Sequence, residues 1–159
     1  MFSPARPTKE EALKKIKHFC TYQERSHSEV KEKLYSFKLF KSEVEEIIAE
    51  LIENNYLDEG RFARQFAGGK FRMKQWGRKK IQYELQQKGV HRVNIELGLK
   101  EIEEKEYMET LQKLASKKWN ELKNGGKMTS QAKTYAYLLQ KGYEPDLITK
   151  VIRAINNGN

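Results

Sequence analysis

One spacing of apolar residues, used three times, constrains this chain more than any other feature. Leu34, Val44, Ile48 and Leu51 are separated by 10, 4 and 3 positions. Leu85, Ile95, Leu99 and Ile102 repeat those separations, as do Leu138, Ile148, Ile152 and Ile155, at offsets of 51 and 53 residues. Steps of three and four put side chains on one face of an α-helix, and the longer step leaves room for a turn between two helices. An interval of this length marks one supersecondary unit used in series.

Each unit reads as a leading helix, a short helix, a tight turn and a closing helix. The units are placed at residues 8–56, 57–103 and 104–156, with tails at 1–7 and 157–159. Composition favours several small cores over one large one, because only 38% of the 159 residues are hydrophobic and 33% are charged. The fold expected is all-α: three tandem three-helix (trihelical) repeats in an elongated, curved arrangement. No alternating strand pattern appears.

Helix starts and stops agree with this layout. Thr8, Ser26 and Ser42 each stand three residues before a glutamate, the capping-box spacing. Asp58 is placed to cap the first helix of the second unit, and Pro145 suits the first turn of the last helix. Lys88-Gly89 and Lys141-Gly142 fall in equivalent turns, whereas Lys38-Leu39 holds a neighbouring register without glycine. Asn124-Gly125-Gly126-Lys127 reads as a loop.

Charge is unevenly spread. Residues 1–60 hold 10 basic and 12 acidic side chains, residues 93–159 hold 11 and 9, and residues 61–92 hold 10 and 1. The whole net charge of +9 is therefore matched by the middle block. Such a block favours a polyanion or an acidic protein face. In the first helix of that block Phe62, Phe66 and Met73 are assigned inward, and Arg64, Gly68, Phe71 and Gln75 outward. Close packing at Gly69 and approach of a partner at Gly68 would offset the helix cost of the two glycines. In the next helix Ile81 and Leu85 face inward, Lys79, Tyr83, Gln86 and Gln87 face outward, and Lys80 lies on the flank.

Several classes drop out. A lone cysteine, Cys20, forms neither an internal disulfide nor a cysteine-based zinc cluster, and its place on an apolar stripe suits a buried, inert thiol. His18, His27 and His91 lack ligand spacing, and the glycine pairs lack the flanks of a phosphate loop. No apolar run reaches the length of a membrane span, and Met1 to Thr8 carries no apolar leader. The expectation is a cytoplasmic protein with no enzymatic activity, no cofactor and no metal.

The stretch from Asn55 to Val90 is the most specific. It contains Tyr56, Leu57, Asp58, Arg61, Phe62 and Ala63, then Gly77, Lys80, Ile81, Glu84, Leu85, Lys88, Gly89 and Val90. These residues, and the chain over about residues 9–155, resemble the RecX family of bacterial recombination regulators. The three-unit layout is similar to that family's tandem three-helix repeats. Arg78 departs from the family pattern, which often has proline after the glycine, and the third unit matches mainly through its apolar spacing. The N-terminal extension of longer members is absent from this sequence.

The resemblance implies a monomeric modulator of the RecA recombinase. Such a protein binds the RecA filament on DNA and restrains its ATPase and strand exchange. DNA, single- or double-stranded and without base specificity, is then a second partner. The docking residues expected are Arg61, Arg64, Lys70, Phe71, Arg72, Lys74, Arg78, Lys79, Lys80, Tyr83, Lys88 and Arg92. Basic side chains interleaved with aromatics also suit a helix-turn-helix-like DNA- or RNA-binding regulator without RecA dependence, and the same helices suit a helical-repeat adaptor.

Overall fold

The computed structural model describes residues 6–158. These form nine α-helices and a short 3₁₀ turn, with no strand among the described residues. The first trio is α1 (Lys9–Tyr22), α2 (His27–Ser36) and α3 (Lys41–Glu53). The second is α4 (Glu59–Lys74), α5 (Arg78–Gln87) and α6 (Arg92–Leu99). The third is α7 (Glu104–Leu122), α8 (Lys127–Lys141) and α9 (Pro145–Gly158), with the 3₁₀ turn at Lys123–Gly125 before α8. Residues 157 and 158, expected as a tail, continue α9. Most of the expected N-terminal tail, and residue 159, lie outside the described residues.

Local chemistry sets the helix starts. Thr8 and Ser26 accept the backbone N–H of Glu11 and Glu29 through their hydroxyls, each at 3.1 Å. Asp58 accepts the N–H of Arg61 at 2.9 Å. The Ser42 assignment is corrected: α3 begins at Lys41 after Phe40, whose N–H donates to the Glu43 carboxylate at 2.9 Å. Phe40 has no side-chain acceptor, so only the glutamate half of the capping arrangement operates.

The turns closing α2, α5 and α8 each hold one left-handed residue: Lys38 (φ 63°), Gly89 (φ 74°) and Gly142 (φ 102°). These positions are 51 and 53 residues apart, the offsets of the apolar repeat. Lys38 thus occupies the glycine slot itself. At the two glycine turns the next N–H, of Val90 or Tyr143, folds back onto Leu85 or Leu138, and the glycine N–H onto Gln86 or Leu139. This pattern caps the carbonyls at a helix end.

The described chain divides into two compact units. The first comprises residues up to 65 together with 85–98, and the second comprises 66–84 with 99 onward. Its first core is built from Ala12, Ile16, Cys20, Val30, Leu34, Leu39, Val44, Ile47, Ile48, Leu51 and Leu57. Burial holds the Cys20 thiol up at about 11, so it stays protonated at neutral pH. The second unit buries Ile81, Tyr107, Leu111, Leu138, Tyr143 and Ile148 completely.

The division falls within α4, between residues 65 and 66, and corrects the single inward stripe assigned to that helix. Phe62 and Ala63 are buried in the first unit, and Ala67 and Phe71 in the second. Phe62 and Phe71 lie about two and a half helical turns apart, on opposite faces. Phe71, expected outward, is 3% exposed, whereas Met73, expected inward, is 83% exposed. The glycines also exchange roles. A Cβ on Gly69 would meet nothing within 4 Å, while one on Gly68 would meet the Arg72 guanidinium at 2.7 Å. Gly68 therefore lets Arg72 fold back over its own helix.

Candidate nucleoprotein-docking site

The second unit contains a turn packed on a turn. The link between α4 and α5 carries Gly77, and the link between α8 and α9 carries Gly142. The Gly77 N–H donates to the Lys141 carbonyl at 2.8 Å, and the Lys79 N–H to the Gly142 carbonyl at 2.9 Å. A Cβ on Gly77 would lie 2.3 Å from the Gly142 carbonyl group. A Cβ on Gly142 would lie 2.6 Å from the Lys80 backbone nitrogen. Only hydrogen at both positions lets the backbones approach this closely.

Side chains seal the same junction. Tyr143 is fully buried and donates its hydroxyl to the Gln75 carbonyl at 2.9 Å. Its burial drives its phenol pKa well up. The Lys141 ammonium donates to the Lys74 carbonyl at 2.9 Å, placing a cation on the negative end of α4. Beneath the start of α5, Tyr107 packs between Phe71 and Tyr143, with ring centroids 5.8 and 5.1 Å away. Its hydroxyl accepts the Arg78 N–H at 2.9 Å and donates to Glu144.

Arg78 is consumed by this arrangement. Its guanidinium lies 3.9 Å above the Tyr107 ring, 2.8 Å from Glu104 and 2.9 Å from Glu144. Burial opposes its charge, but the hydrogen bond to Glu104 and the Glu144 carboxylate outweigh that and hold it protonated. Arg78 therefore carries a structural ion pair rather than a free surface charge.

What the junction builds on its outer side is a cluster of lysines around Trp76. The Lys70 and Lys80 ammoniums lie 5.1 and 4.7 Å from the indole centroid, within cation–π range. Phe66 meets the same indole edge-on at 6.4 Å. Trp76, Lys80, Tyr137, Gln140 and Lys141 line a shallow groove of about 200 Å³. Burial, then the like charges of Lys80 and Lys74, lower the Lys141 pKa. Among the described residues no carboxylate lies within ion-pair distance of Lys70, Lys74, Lys80 or Lys141. Uncompensated like charges raise the energy of the protein alone, and a bound polyanion relieves that repulsion.

The twelve sequence-derived docking residues divide accordingly. Lys70, Arg72, Lys74, Lys79, Lys80 and Tyr83 stand at least partly exposed in the second unit, Tyr83 at 57%. Phe71 leaves the surface, because it is a core side chain. Arg78 is committed to its two glutamates. The other four belong to the first unit. There Arg61 is ion-paired with Glu24 and donates to the Asn55 carbonyl. Lys88 reaches Glu29 at 3.5 Å, and Arg92 reaches Glu96 at 3.2 Å. Arg64 is exposed. Trp76, Tyr137 and Lys141 line the groove beside Lys80 but are not among the twelve residues expected from the sequence; the shared Lys-Gly dipeptide was the signal that tied residue 141 to residue 88.

Helices grouped in threes and closed by left-handed turns define an all-α helical-repeat protein. Residues 58–99 match the second three-helix domain of RecX, and residues 104–152 match the third. The regulatory protein RecX of Clostridium beijerinckii is 30% identical over 149 residues, covering 92% of this chain and 67% of that protein. The RecX of Oceanobacillus iheyensis is 29% identical over 139 residues, covering 87% and 51%. The crystal structure of RecX from Lactobacillus salivarius superimposes with a TM-score of 0.85 at 25% identity, covering 93% of this chain and 96% of that one. The chain belongs to the RecX family of regulatory proteins. It spans about half to two thirds of the length of the curated relatives it matches. No helix among the described residues is long and apolar enough to cross a membrane, and none of their acidic, histidine and cysteine side chains gather into a metal-binding group.

Proposed function

We propose that this protein binds the RecA filament on DNA and restrains it, with the lysine cluster around Trp76 as its principal contact. Family membership supports the partner. The observation that carries the contact is a set of four lysines without a carboxylate in ion-pair reach among the described residues: Lys70 and Lys80 over Trp76, Lys141 in the same groove, and Lys74, whose charge is felt at Lys141. Arg72, Lys79 and Tyr83 extend the same basic, partly aromatic character along α4 and α5. Such a surface takes phosphate oxygens or acidic side chains, and its aromatic members add apolar contact. The ATP hydrolysis under control belongs to RecA, and the residues of this chain act by binding.

The test adds the purified protein to RecA on single-stranded DNA and follows ATP hydrolysis, with binding to the bare strand measured alongside. Suppression of hydrolysis in proportion to bound protein supports the proposal. Where phosphates are the target, log affinity for the single strand falls linearly with log salt, and removing two lysines flattens the slope by about 1.4 units. Where acidic RecA surface is the target, bare DNA binds poorly and the salt dependence is shallower. Unchanged RecA turnover at saturating protein, in the presence of DNA, would refute it.

A further inference from the structure

The first trio holds more acidic than basic side chains, yet it carries a basic groove. An open cleft of about 780 Å³ runs along α1 and α2. Lys14, Lys15, Arg25 and Lys33 line it around Phe19 and Phe37, and none of the residues lining it is a carboxylate. Three acids of this unit pair away from the cleft, Glu43 with Arg6, Glu46 with Lys9 and Glu24 with Arg61, while Glu29 reaches Arg25 at 4.0 Å and leaves the three lysines as the cleft's unpaired charges among the described residues.

The aromatic rings in the cleft already carry cations. The Arg25 guanidinium lies 3.7 Å over Phe19, fixed by a 2.9 Å hydrogen bond from its Nε to the Phe19 carbonyl. Lys33 lies 5.6 Å from Phe19 and 5.8 Å from Phe37, and Lys15 lies 5.7 Å from Phe37. A nucleobase stacks on an open ring face. Rings lidded by ammonium and guanidinium groups offer instead an apolar edge beside a concentrated positive charge. That combination suits carboxylates spaced along a chain that also carries a large apolar side chain. A second copy of this chain, itself at +9, is a poor match.

We propose that the α1–α2 cleft docks an acidic peptide segment of a partner protein. Its carboxylates meet Lys14, Lys15 and Lys33, and one apolar side chain lies against Phe19 and Phe37. The proposal concerns the first unit alone and does not rest on the RecA reading.

The test uses the full chain and a short fluorescein-labelled peptide alternating Glu with Leu and Phe, read by anisotropy. The same peptide with Gln for Glu, and labelled oligo-dT, serve as comparisons. The acidic peptide should bind more tightly than its Gln counterpart. Lys15→Glu with Lys33→Glu should weaken it about tenfold, since two attractions become repulsions. Both lysines are exposed, so helicity is expected to survive; Lys15→Gln with Lys33→Gln gives a milder version with a smaller loss. Equal affinity for the acidic and Gln peptides would overturn the proposal. So would unchanged peptide affinity in the double variants. Oligo-dT binding that falls in these variants while peptide binding does not would assign the cleft to nucleic acid instead.

Discussion

The turns at Lys88-Gly89 and Lys141-Gly142 share a dipeptide, a left-handed glycine and the same pair of backbone hydrogen bonds, yet they serve different ends. A Cβ on Gly89 would meet nothing within 4 Å. That turn needs glycine for its backbone conformation, and its neighbours reach it through polar groups: the Lys88 carbonyl accepts the Ser28 hydroxyl at 2.8 Å. A Cβ on Gly142 would strike Lys80. There the glycine also supplies the missing volume that lets one turn pack on another, which brings Lys141 to Lys74 and sets it with Lys80 beside Trp76. One local signal thus carries a conformational demand in both places and a tertiary demand in only one.

Replacing the glycines by alanine separates the two demands. Gly142→Ala combines a left-handed alanine with a backbone clash and is expected to cost about 2–5 kcal/mol. Urea denaturation should show it as the largest fall in midpoint of this set. Gly77→Ala, free of the left-handed term, should cost about 1–3 kcal/mol through overpacking alone. Gly89→Ala should cost about 1–2 kcal/mol, the conformational term by itself. If Gly89→Ala proves as costly as Gly142→Ala, the distinction between the turns fails. The smallest effect is expected at the equivalent turn of the first trio. Lys38→Gly relieves a left-handed lysine but gives the unfolded chain more freedom, so the net gain should stay below about 1 kcal/mol.

Much of the fold was legible because it rests on local rules. The caps at Thr8, Ser26 and Asp58, the two Lys-Gly turns and the three apolar stripes all follow from neighbours in sequence. Ser42 misled because Glu43, three residues after Phe40, caps the helix without a hydroxyl partner. The inward face of α4 could not be read from one helical wheel. That helix buries Phe62 and Ala63 in one unit and Ala67 and Phe71 in the other, and alanines give no apolar contrast by which to trace the change. The basic block was visible in the sequence, but its useful members were not. Arg78 and Lys80 look equivalent as residue types. Glu104 and Glu144, distant in sequence, take the first and leave the second beside Trp76. Lys141 joins the cluster through a glycine contact across 65 positions, Gly77 to Gly142, which no periodicity announces.

The central claim is that lysines assembled by this junction restrain RecA. Lys74→Glu with Lys80→Glu reverses two of them while leaving Gly77, Gly142 and Arg78 intact. Lys105→Glu with Lys113→Glu makes the same charge change at exposed positions on α7. With helicity matched by circular dichroism, RecA's ATP hydrolysis on single-stranded DNA is followed as each protein is added. The account predicts that the first variant needs about tenfold more protein, or greater, for half-maximal suppression, and that the second behaves as wild type. Equal suppression by both variants and the wild-type protein, at low and high salt alike, would contradict it.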